Sequence, residues 1–569
     1  MLTLAIFLPV LAAALVCLIP DRMIGLIKGL SLVAAIAAFA ITCVVCVGYL
    51  EPGGETVDQR LEAEASKRLA EIRDPAARAL VQGAVERGGA NAAEKQRIEA
   101  AGLTTAYEEI QELKIAAAAP LGKSMKYAEF VPWIRVFRIN YFLGVDGLSL
   151  PLVFLTALLG ILCLVYSWNV EKATKAYFAL FLLLETGLMG VFCALDFFLF
   201  YVFWEIVLLP MYFLIGFWGG PRRIYAAIKF FIYTLVGGAL MLVAMLFLYF
   251  ESASYIDAYT FNMLTLMQVA PQIPLQTQWW LFGGLFIAFA IKVPVFPFHT
   301  WLPDAHVEAP TAASVVLAGV LLKMGGYGFL RLNYTLAPHA ALSTQIVLLV
   351  GVLGLVNIVY GALVAMAQKD FKSLVAYSSI SHMGYVLLGL AAWTHAGVAG
   401  AALQMFTHGI SSAMLFLIVG VVYERAHHRD LSRFGGIGLR MPYYTGLATI
   451  GFFASLGLPG LCGFISEAFV FLGAFGTESM LQPNLWIVYA SVAGIVLTAG
   501  YLLWTFQRVY MGKLDEKYAA FPDANRREVV SLAPLAALAV LVGVVPSVVL
   551  VYLDASIKPL VDTIGAIAK

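Results

Sequence analysis

The sequence predicts an all-α, polytopic membrane protein with about fourteen membrane-crossing helices, and three observations support this fold class. The 569 residues are 61% hydrophobic and only 12% charged, whereas soluble domains usually carry about 25% charged residues. Apolar stretches of roughly twenty residues, each sufficient to cross a hydrocarbon core of about 30 Å, recur along most of the chain. Lysine and arginine are concentrated in alternate loops between these stretches, as is typical of helical membrane proteins.

Hydropathy and loop composition place the helices one by one. The predicted bounds are 3–19, 26–49, 148–167, 177–194, 196–217, 226–250, 280–297, 311–334, 343–366, 372–393, 396–422, 442–475, 485–510 and 530–553. The first segment has no preceding positive charge and no small-residue cleavage site, so it is interpreted as a spanning helix and not as a signal peptide. The basic loops follow odd-numbered helices. Since such loops stay in the cytoplasm, both termini are predicted to be extracytoplasmic.

Residues 51–147 differ from the rest of the chain. They are rich in Ala, Glu and Arg and are interrupted by Pro75 and by Gly88–Gly89, a composition that favours solvated helix. We predict an extracytoplasmic insertion, either a plain solvated region or an element that docks a partner. The predicted organisation is helices 1–2 in 1–50, the insertion in 51–147, a first half with helix 3 and helices 4–8 in 148–334, a second half with helices 9–13 in 335–510, and the last helix and C-terminus in 511–569.

Two helices are interrupted at corresponding places. The seventh contains "KVPVFP" at 292–297, and the twelfth contains "SLGLPGLCGFISE" at 455–467. If helices 4–8 and 9–13 are equivalent halves, each interruption falls in the fourth helix of its half. Paired broken helices indicate an inverted 5+5 helix repeat with an ion site near the membrane midplane.

Four ionisable residues lie well inside predicted helices: Glu205, Lys292, Lys323 and Glu467. A charge at the bilayer centre costs about 3 kcal/mol on insertion scales, so four cost roughly 10 kcal/mol unless they face water or one another. Burial disfavours the charged form of either residue type, whereas a nearby opposite charge favours it. A small movement between an acid and a base therefore makes a lysine hold or release a proton, which predicts a proton relay. A purely structural ion pair is the alternative.

Histidines supply candidate intermediate stations, because their ordinary pKa lies near neutrality. His299, His382 and His408 lie among apolar residues, and each is either part of the proton path or a satisfied buried histidine. A metal site from His299 and His306 is not expected, because Pro303 should disrupt helical presentation and no acid lies at ligand spacing.

Several motif classes are missing from the sequence. There is no P-loop, no credible dinucleotide fingerprint and no haem or iron–sulfur cysteine set. A pump with this sequence must therefore take its energy from an ion gradient or from a partner. The net charge of +1 gives no indication of a nucleic-acid partner, and none is predicted.

Several motifs resemble the antiporter-like membrane subunits of respiratory complex I, NADH:quinone oxidoreductase. They are "YVFWE" at 201–205, "KVPVFPFHTWLPDAHVEAPTAASVVLAGVLLKMGGYG" at 292–328, "AYSSISHMGY" at 376–385 and "GLPGLCGFISE" at 457–467. The resemblance covers nearly the whole chain apart from about 51–130. "DGLSLPLVFLT" at 146–156, "VVYERAHHRDL" at 421–431 and the absence of a long lateral helix resemble the M-type branch. Glu467 also resembles that branch, since the L-type and N-type subunits typically have Lys there.

The resemblance implies an antiporter-like fold and a role as a translocase subunit in the bacterial cytoplasmic (inner) membrane. It implies that Glu205 and Lys292 form the regulatory pair, that Lys323 is the central carrier linked through His299 and His408, and that Glu467 is the exit-side proton site. This chain is expected to hold no cofactor or metal; FMN, iron–sulfur clusters and quinone are expected in other subunits. The expected partners are the L-type and N-type subunits and lipid.

Three alternatives remain open from the sequence. A cation/proton antiporter subunit of the Mrp kind shares the fold and the Glu–Lys pair, although its D-type subunit is expected to have Lys at the position of Glu467. Membrane-bound hydrogenase or formate-linked complexes use similar subunits. A non-pumping scaffold, whose buried charges only hold helices together, is the alternative from another functional class.

Overall fold

The computed structural model describes residues 1–568, and fourteen helical units cross its bundle, which confirms the predicted fold class. In chain order, helices 1–14 are Leu2–Leu18, Ile24–Leu50, Leu150–Tyr166, Thr174–Cys193, Phe197–Ile206 with Leu208–Trp218, Arg223–Ile256, Leu275–Lys292 with Trp301–Glu308, Thr311–Leu336, Thr344–Met366, Phe371–Ala392, His395–Ala426, Pro442–Leu456 with Cys462–Phe475, Leu485–Tyr510 and Arg526–Val544. Eleven of these units are individually long and apolar enough to cross a membrane.

Helices 8, 10 and 11 form the centre of the bundle. Every residue in the most apolar stretch of helices 8 and 11 is buried, as are nearly all residues in that of helix 10. Helix 8 is also irregular, because π-helical turns interrupt it at Leu317–Leu321 and Phe329–Asn333. Such turns release backbone carbonyls from the regular hydrogen-bond ladder and often occur at functional sites.

The two predicted helix breaks are confirmed. Helix 7 is interrupted between Lys292 and Trp301, and helix 12 between Leu456 and Cys462. Gly457 ends the first part of helix 12 with a φ of +78°, a left-handed conformation that glycine adopts without steric cost. The prediction ended helix 7 at residue 297, which was wrong. The helix resumes at Trp301 and contains Pro303 in its first turn, where the missing N–H needs no partner.

The insertion folds as a compact helical unit followed by a hairpin. Its helices are Val57–Glu71, Pro75–Glu86, Ala92–Ala100 and Thr104–Ala117. An antiparallel hairpin of β1 (Lys126–Ile134) and β2 (Ile139–Val145) then leads into helix 3. The sequence analysis did not predict these strands. We call the face of the bundle that carries the hairpin the hairpin face and the opposite one the basic face.

The C-terminal region differs from its prediction. A single helix over 530–553 was expected, but the spanning helix ends at Val544 and a separate helix follows at Ser547–Ala568. Pro546 separates them, because proline removes a backbone donor and disfavours helical conformation before it. The last helix lies on the hairpin face, where Ser556 Oγ accepts a 2.7 Å hydrogen bond from Gly147 N.

Arg331 is a buried basic residue of helix 8. It forms a 2.5 Å ion pair with Asp146, which lies between the hairpin and helix 3. The guanidinium also donates a 3.1 Å hydrogen bond to the Tyr327 hydroxyl. This buried pair ties helix 8 to the end of the hairpin.

Candidate functional site

Lys323 lies in the centre of the bundle and is completely buried. It follows the first π-helical turn of helix 8, and its Nζ donates to the carbonyl oxygen of Ala318 in that turn. Its second contact is with His408 of helix 11, whose Nδ1 lies 2.9 Å from Lys323 Nζ. One proton lies between the two nitrogens: either Lys323 Nζ donates it to an unprotonated Nδ1, or a protonated Nδ1 donates it to the neutral amine of Lys323.

His382 and Glu467 continue from His408 through helices 10 and 12. The imidazole rings of His408 and His382 lie 5.5 Å apart between centroids. His382 Nδ1 lies 3.2 Å from Glu467 Oε1, and both side chains are buried. Glu467 lies in the second turn after the break in helix 12, and a Cβ added at Gly457 in the break would lie 3.1 Å from its Oε2.

A polar cluster of side chains borders this series. Ser466 Oγ donates to Gln404 Oε1 and lies 2.8 Å from Thr407 Oγ1. Gln404 Nε2 in turn donates to the His382 carbonyl at 3.4 Å. Helices 10, 11 and 12 are therefore joined by hydrogen bonds at the same level as His382.

Glu205 and Lys292 lie on the first half of the bundle. Lys292 is the last residue before the break in helix 7, and its Nζ lies 5.1 Å from the Trp204 ring centre and 5.8 Å from that of Phe230. Glu205 lies at the bend in helix 5 and packs against Gly238 of helix 6. Across residues 1–568, Lys292 Nζ and Glu205 Oε1 are both without a hydrogen-bond partner. The two groups are neighbours, but they do not form a closed ion pair.

The break in helix 7 is held by helix 9. Asn357 Oδ1 accepts a 2.8 Å hydrogen bond from Phe296 N, and Asn357 Nδ2 donates to the Pro294 carbonyl at 3.3 Å. His299 Nε2 lies 3.1 Å from the Tyr360 hydroxyl. The break thus obtains its missing hydrogen bonds from one buried asparagine. The observed partner of His299 is therefore Tyr360 of helix 9, and its link to Lys323 stays a prediction.

Six of the seven predicted site residues fall into two groups, and His299 lies apart from both, against Tyr360. Lys323, His408, His382 and Glu467 form one connected series across the centre of the bundle. Glu205 and Lys292 form the second group, which adjoins the first where helices 7 and 8 meet. A Cβ added at Gly325 would lie only 3.0 Å from Lys292 Cβ, so Lys292 packs within one turn of Lys323 along helix 8.

Several buried ionisable residues were not among the predicted site residues, and His306, Lys372 and Glu185 are three of them. His306 is stacked on Phe416 at 4.3 Å, and neither ring nitrogen has a partner within the described chain. Lys372 donates a 2.5 Å hydrogen bond to the Ala309 carbonyl and is 4% exposed. Glu185 is buried near the middle of helix 4. Its position within an apolar run was a signal that sequence reasoning could have used.

The arrangement suits proton transfer better than metal chemistry. In the part of the chain that the structure describes, no group of three or more His, Cys, Asp or Glu side chains is placed to hold a metal ion. The site consists instead of acids, bases and imidazoles at hydrogen-bonding or near-bonding separations.

Two family models match the chain. Residues 194–498 match the family described as NADH:quinone oxidoreductase/Mrp antiporter, TM, and residues 124–194 match NADH-ubiquinone oxidoreductase chain 4, amino terminus. The helical part of the insertion, before residue 124, lies outside both models. The matched region contains all the predicted site residues.

Known proteins give a consistent picture. NADH-quinone oxidoreductase subunit M of Rhodobacter capsulatus is 43% identical over 505 residues, which cover 86% of this chain and 96% of that protein. A chain of respiratory complex I from Thermus thermophilus is 28% identical, with a TM-score of 0.78 and complete coverage of both chains. A chain of the Mrp complex from Dietzia sp. shares the fold at 20% identity and a TM-score of 0.65, covering 90% of this chain and all of that one. The chain therefore belongs to the NADH:quinone oxidoreductase/Mrp antiporter family of membrane subunits, and within it to the subunit M group.

Proposed function

We propose that this chain translocates protons as a membrane-arm subunit of NADH:quinone oxidoreductase. The observation that carries the proposal is the buried series Lys323, His408, His382 and Glu467. The series runs from helix 8 through helices 11 and 10 to helix 12, and every member binds and releases protons. Ionisable groups are expensive inside a membrane and typically mark ion or proton pathways there.

Proton movement along this series needs no redox group. Lys323 Nζ is already within hydrogen-bonding distance of His408 Nδ1, and His382 is within the same reach of Glu467. The remaining gap separates two imidazole rings by 5.5 Å, a distance that one hydrogen-bonded water can bridge. Lys323 is the central carrier in this proposal and Glu467 is the exit-side site.

Glu205 and Lys292 are proposed to control the charge of the series. When Glu205 approaches Lys292, the opposite charge favours the protonated lysine; when it withdraws, burial favours the neutral amine. The open geometry of this pair and the bend and break that flank it support such movement. Lys292 adjoins Lys323 through the helix 7–helix 8 contact at Gly325, so its charge acts on Lys323 at short range.

The energy source and the neighbouring subunits are proposed on the basis of the family resemblance. We propose that NADH-to-quinone electron transfer, carried by FMN, iron–sulfur clusters and quinone in other subunits, drives this chain as a translocase subunit without redox chemistry of its own. L-type and N-type antiporter-like subunits are the proposed neighbours. Both termini are proposed to be extracytoplasmic, because the Lys- and Arg-rich loops lie on the basic face, opposite the hairpin.

The test measures NADH-driven proton uptake by inverted membrane vesicles that contain the assembled complex. We expect Glu205→Gln to depress both proton uptake and quinone reduction, because the amide cannot alter the charge of Lys292. His427→Gln is the matched control, since His427 lies exposed in a loop on the basic face. Wild-type pumping by Glu205→Gln, together with a loss of sodium tolerance in cells, would instead favour an Mrp-type cation/proton antiporter.

A further inference from the structure

Glu185 is a buried carboxyl group that the proton series above does not use. It lies near the middle of helix 4 and is 4% exposed. None of the residues from 1 to 568 provides a hydrogen-bond donor to its Oε1. An ionised carboxylate in such surroundings carries a large desolvation cost, so the group is stable there only when it holds a proton or when a cation approaches it.

Helix 3 is shaped to receive this carboxyl. A Cβ added at Gly160 would lie 2.7 Å from Glu185 Cδ and 2.8 and 2.9 Å from its two oxygens. Only glycine therefore leaves room for the carboxyl at this point. The Glu185 carboxyl is therefore packed between helices 3 and 4, in a space that the glycine at position 160 provides.

The position of Glu185 connects the two groups of site residues. On one side, helix 4 packs tightly against the bend in helix 5, because a Cβ at Gly187 would lie 2.8 Å from Val207 and 3.3 Å from Ile206. These two residues immediately follow Glu205. A movement of the bend therefore presses directly on the turn of helix 4 that carries Glu185.

On the other side, only helix 3 separates Glu185 from the Lys323 region. Leu159, the neighbour of Gly160, packs onto Gly319 in the π-helical turn of helix 8. Leu155, one turn earlier, packs onto Gly409, and a Cβ at Gly409 would lie 3.6 Å from Lys323 Cε. Helix 3 thus links Glu185 to the region of the central lysine, and helix 4 links it to the bend at Glu205.

We propose that Glu185 is a further proton-binding residue of this subunit, which takes up and releases a proton as the bend in helix 5 moves. Uptake forms one O–H bond on the carboxylate as a hydronium ion loses its proton, and release breaks that bond and returns the proton to a water molecule; no electron is transferred. The inference rests on the proposed proton-translocating function and adds a carboxyl to its path.

The test compares variants in the assembled complex, using protons pumped per NADH oxidised and the NADH:quinone reductase rate. Glu185→Gln keeps the shape but cannot exchange a proton, and we expect it to lower the pumped-proton ratio while the complex still assembles. Glu185→Asp should restore part of the ratio. Gly160→Ala retains the acid but displaces it, so it should resemble Glu185→Gln. Thr186→Val is the matched control, since Thr186 is the buried neighbour whose hydroxyl has no partner in the described chain.

The outcomes separate this inference from the proposed function. A wild-type ratio in Glu185→Gln, with a loss in Glu205→Gln, would overturn the role of Glu185 alone. Wild-type pumping in both variants would overturn the proposed function. If Glu185→Gln does not assemble, labelling of the wild-type complex with dicyclohexylcarbodiimide tests whether Glu185 holds a proton. This reagent adds to protonated carboxyls in apolar surroundings. Peptide mapping should find Glu185 modified, and an unmodified Glu185 beside a modified Glu205 would contradict the proposal.

Discussion

At the residue scale, His382 connects Glu467 to the rest of the central series. It lies between the His408 ring and the Glu467 carboxylate, and its imidazole is buried. Glutamine at this position retains polar atoms but cannot carry a proton. Because a positioned proton-transfer group typically contributes 10²–10⁴-fold to rate, we expect His382→Gln to slow NADH-driven proton pumping by about tenfold or more. The initial rate of proton uptake by inverted vesicles measures this effect.

The matched control for His382→Gln is a histidine outside the bundle. His428 lies on the basic face, half-buried, with its Nε2 2.9 Å from the Tyr518 hydroxyl. His428→Gln should pump like the wild type. Equal rates in both variants would show that His382 is a packing residue and that protons reach Glu467 by another route.

The candidate site residues could be selected from the sequence, but the contacts between them could not. Glu205, Lys292, Lys323 and Glu467 were recognisable because each is an isolated charge in an apolar helix. The contact of His382 with Glu467 was not predictable, because it depends on how helices 10 and 12 are rotated against each other. Helical periodicity specifies the buried face of a helix, but it does not specify which partner lies opposite.

At the scale of elements, the break in helix 7 depends on one residue of helix 9. Asn357 accepts from Phe296 N and donates to the Pro294 carbonyl. Leucine has a similar size but leaves this buried N–H without an acceptor, at a cost of about 1–3 kcal/mol. We expect Asn357→Leu to lower the thermal stability of the complex and to reduce pumping, because Lys292 directly precedes the break. Thermal unfolding and proton uptake measure the two effects.

A lipid-facing substitution on the same helix provides the comparison. Leu349 is 45% exposed, and Leu349→Ala removes side-chain volume without removing a hydrogen bond. It should therefore change stability less than Asn357→Leu. The explanation fails if the two variants are equally stable and pump equally well.

Helix breaks were more predictable than helix ends or strands. Prolines and glycines mark the interruptions in helices 7 and 12, and both were located correctly. The apolar run around Pro546 is continuous in hydropathy, so it was interpreted as one spanning helix although the second part lies across the hairpin face. The hairpin at Lys126–Val145 was missed because the insertion was judged by its average composition, which the preceding helices dominate.

At the scale of the whole molecule, the insertion is docked onto the bundle through a buried acid. Thr260 Oγ1, in the loop between helices 6 and 7, donates a 2.6 Å hydrogen bond to Glu112 Oε1. The pKa of Glu112 is raised from 4.5 to about 8, mainly by burial; the nearby Asp196 and Glu109 contribute to the increase, and the Thr260 bond and Arg68 oppose it.

The direction of this pKa shift sets the pH dependence of docking. The folded carboxyl binds a proton more tightly than the unfolded one, so its contribution to stability is greatest below about pH 4.5 and is lost as pH rises to about 8. We expect Glu112→Gln to remove this loss and to protect the helix Thr104–Ala117 at high pH. Hydrogen exchange of that helix in the purified complex, between about pH 6 and about pH 9, measures it. Glu99→Gln, an exposed substitution in the preceding helix, is the control and should leave the pH dependence unchanged. If Glu112→Gln also leaves it unchanged, Glu112 is not the source of the pH dependence.

The first and last residues of the helical insertion lie next to each other. Val57 N donates a 2.9 Å hydrogen bond to the Met125 carbonyl, and Thr56 pairs with Lys126. Residues 58–123 therefore form a closed excursion, and they precede both family-model matches, which begin at residues 124 and 194. Excursions of this kind tolerate removal, because the flanking backbone does not have to move.

We expect that replacing residues 58–123 by a short glycine–serine turn leaves assembly and NADH-driven proton pumping close to wild type. The excision removes the bonds of Glu112 to Thr260 and of Lys95 to Asp257, so the thermal stability of the complex should fall. Thr260→Val removes only the first of these bonds and should show a smaller decrease. A complex that fails to assemble would assign the insertion to partner docking. One that assembles without pumping would place the insertion in the coupling machinery, although none of the residues of the central series contacts it.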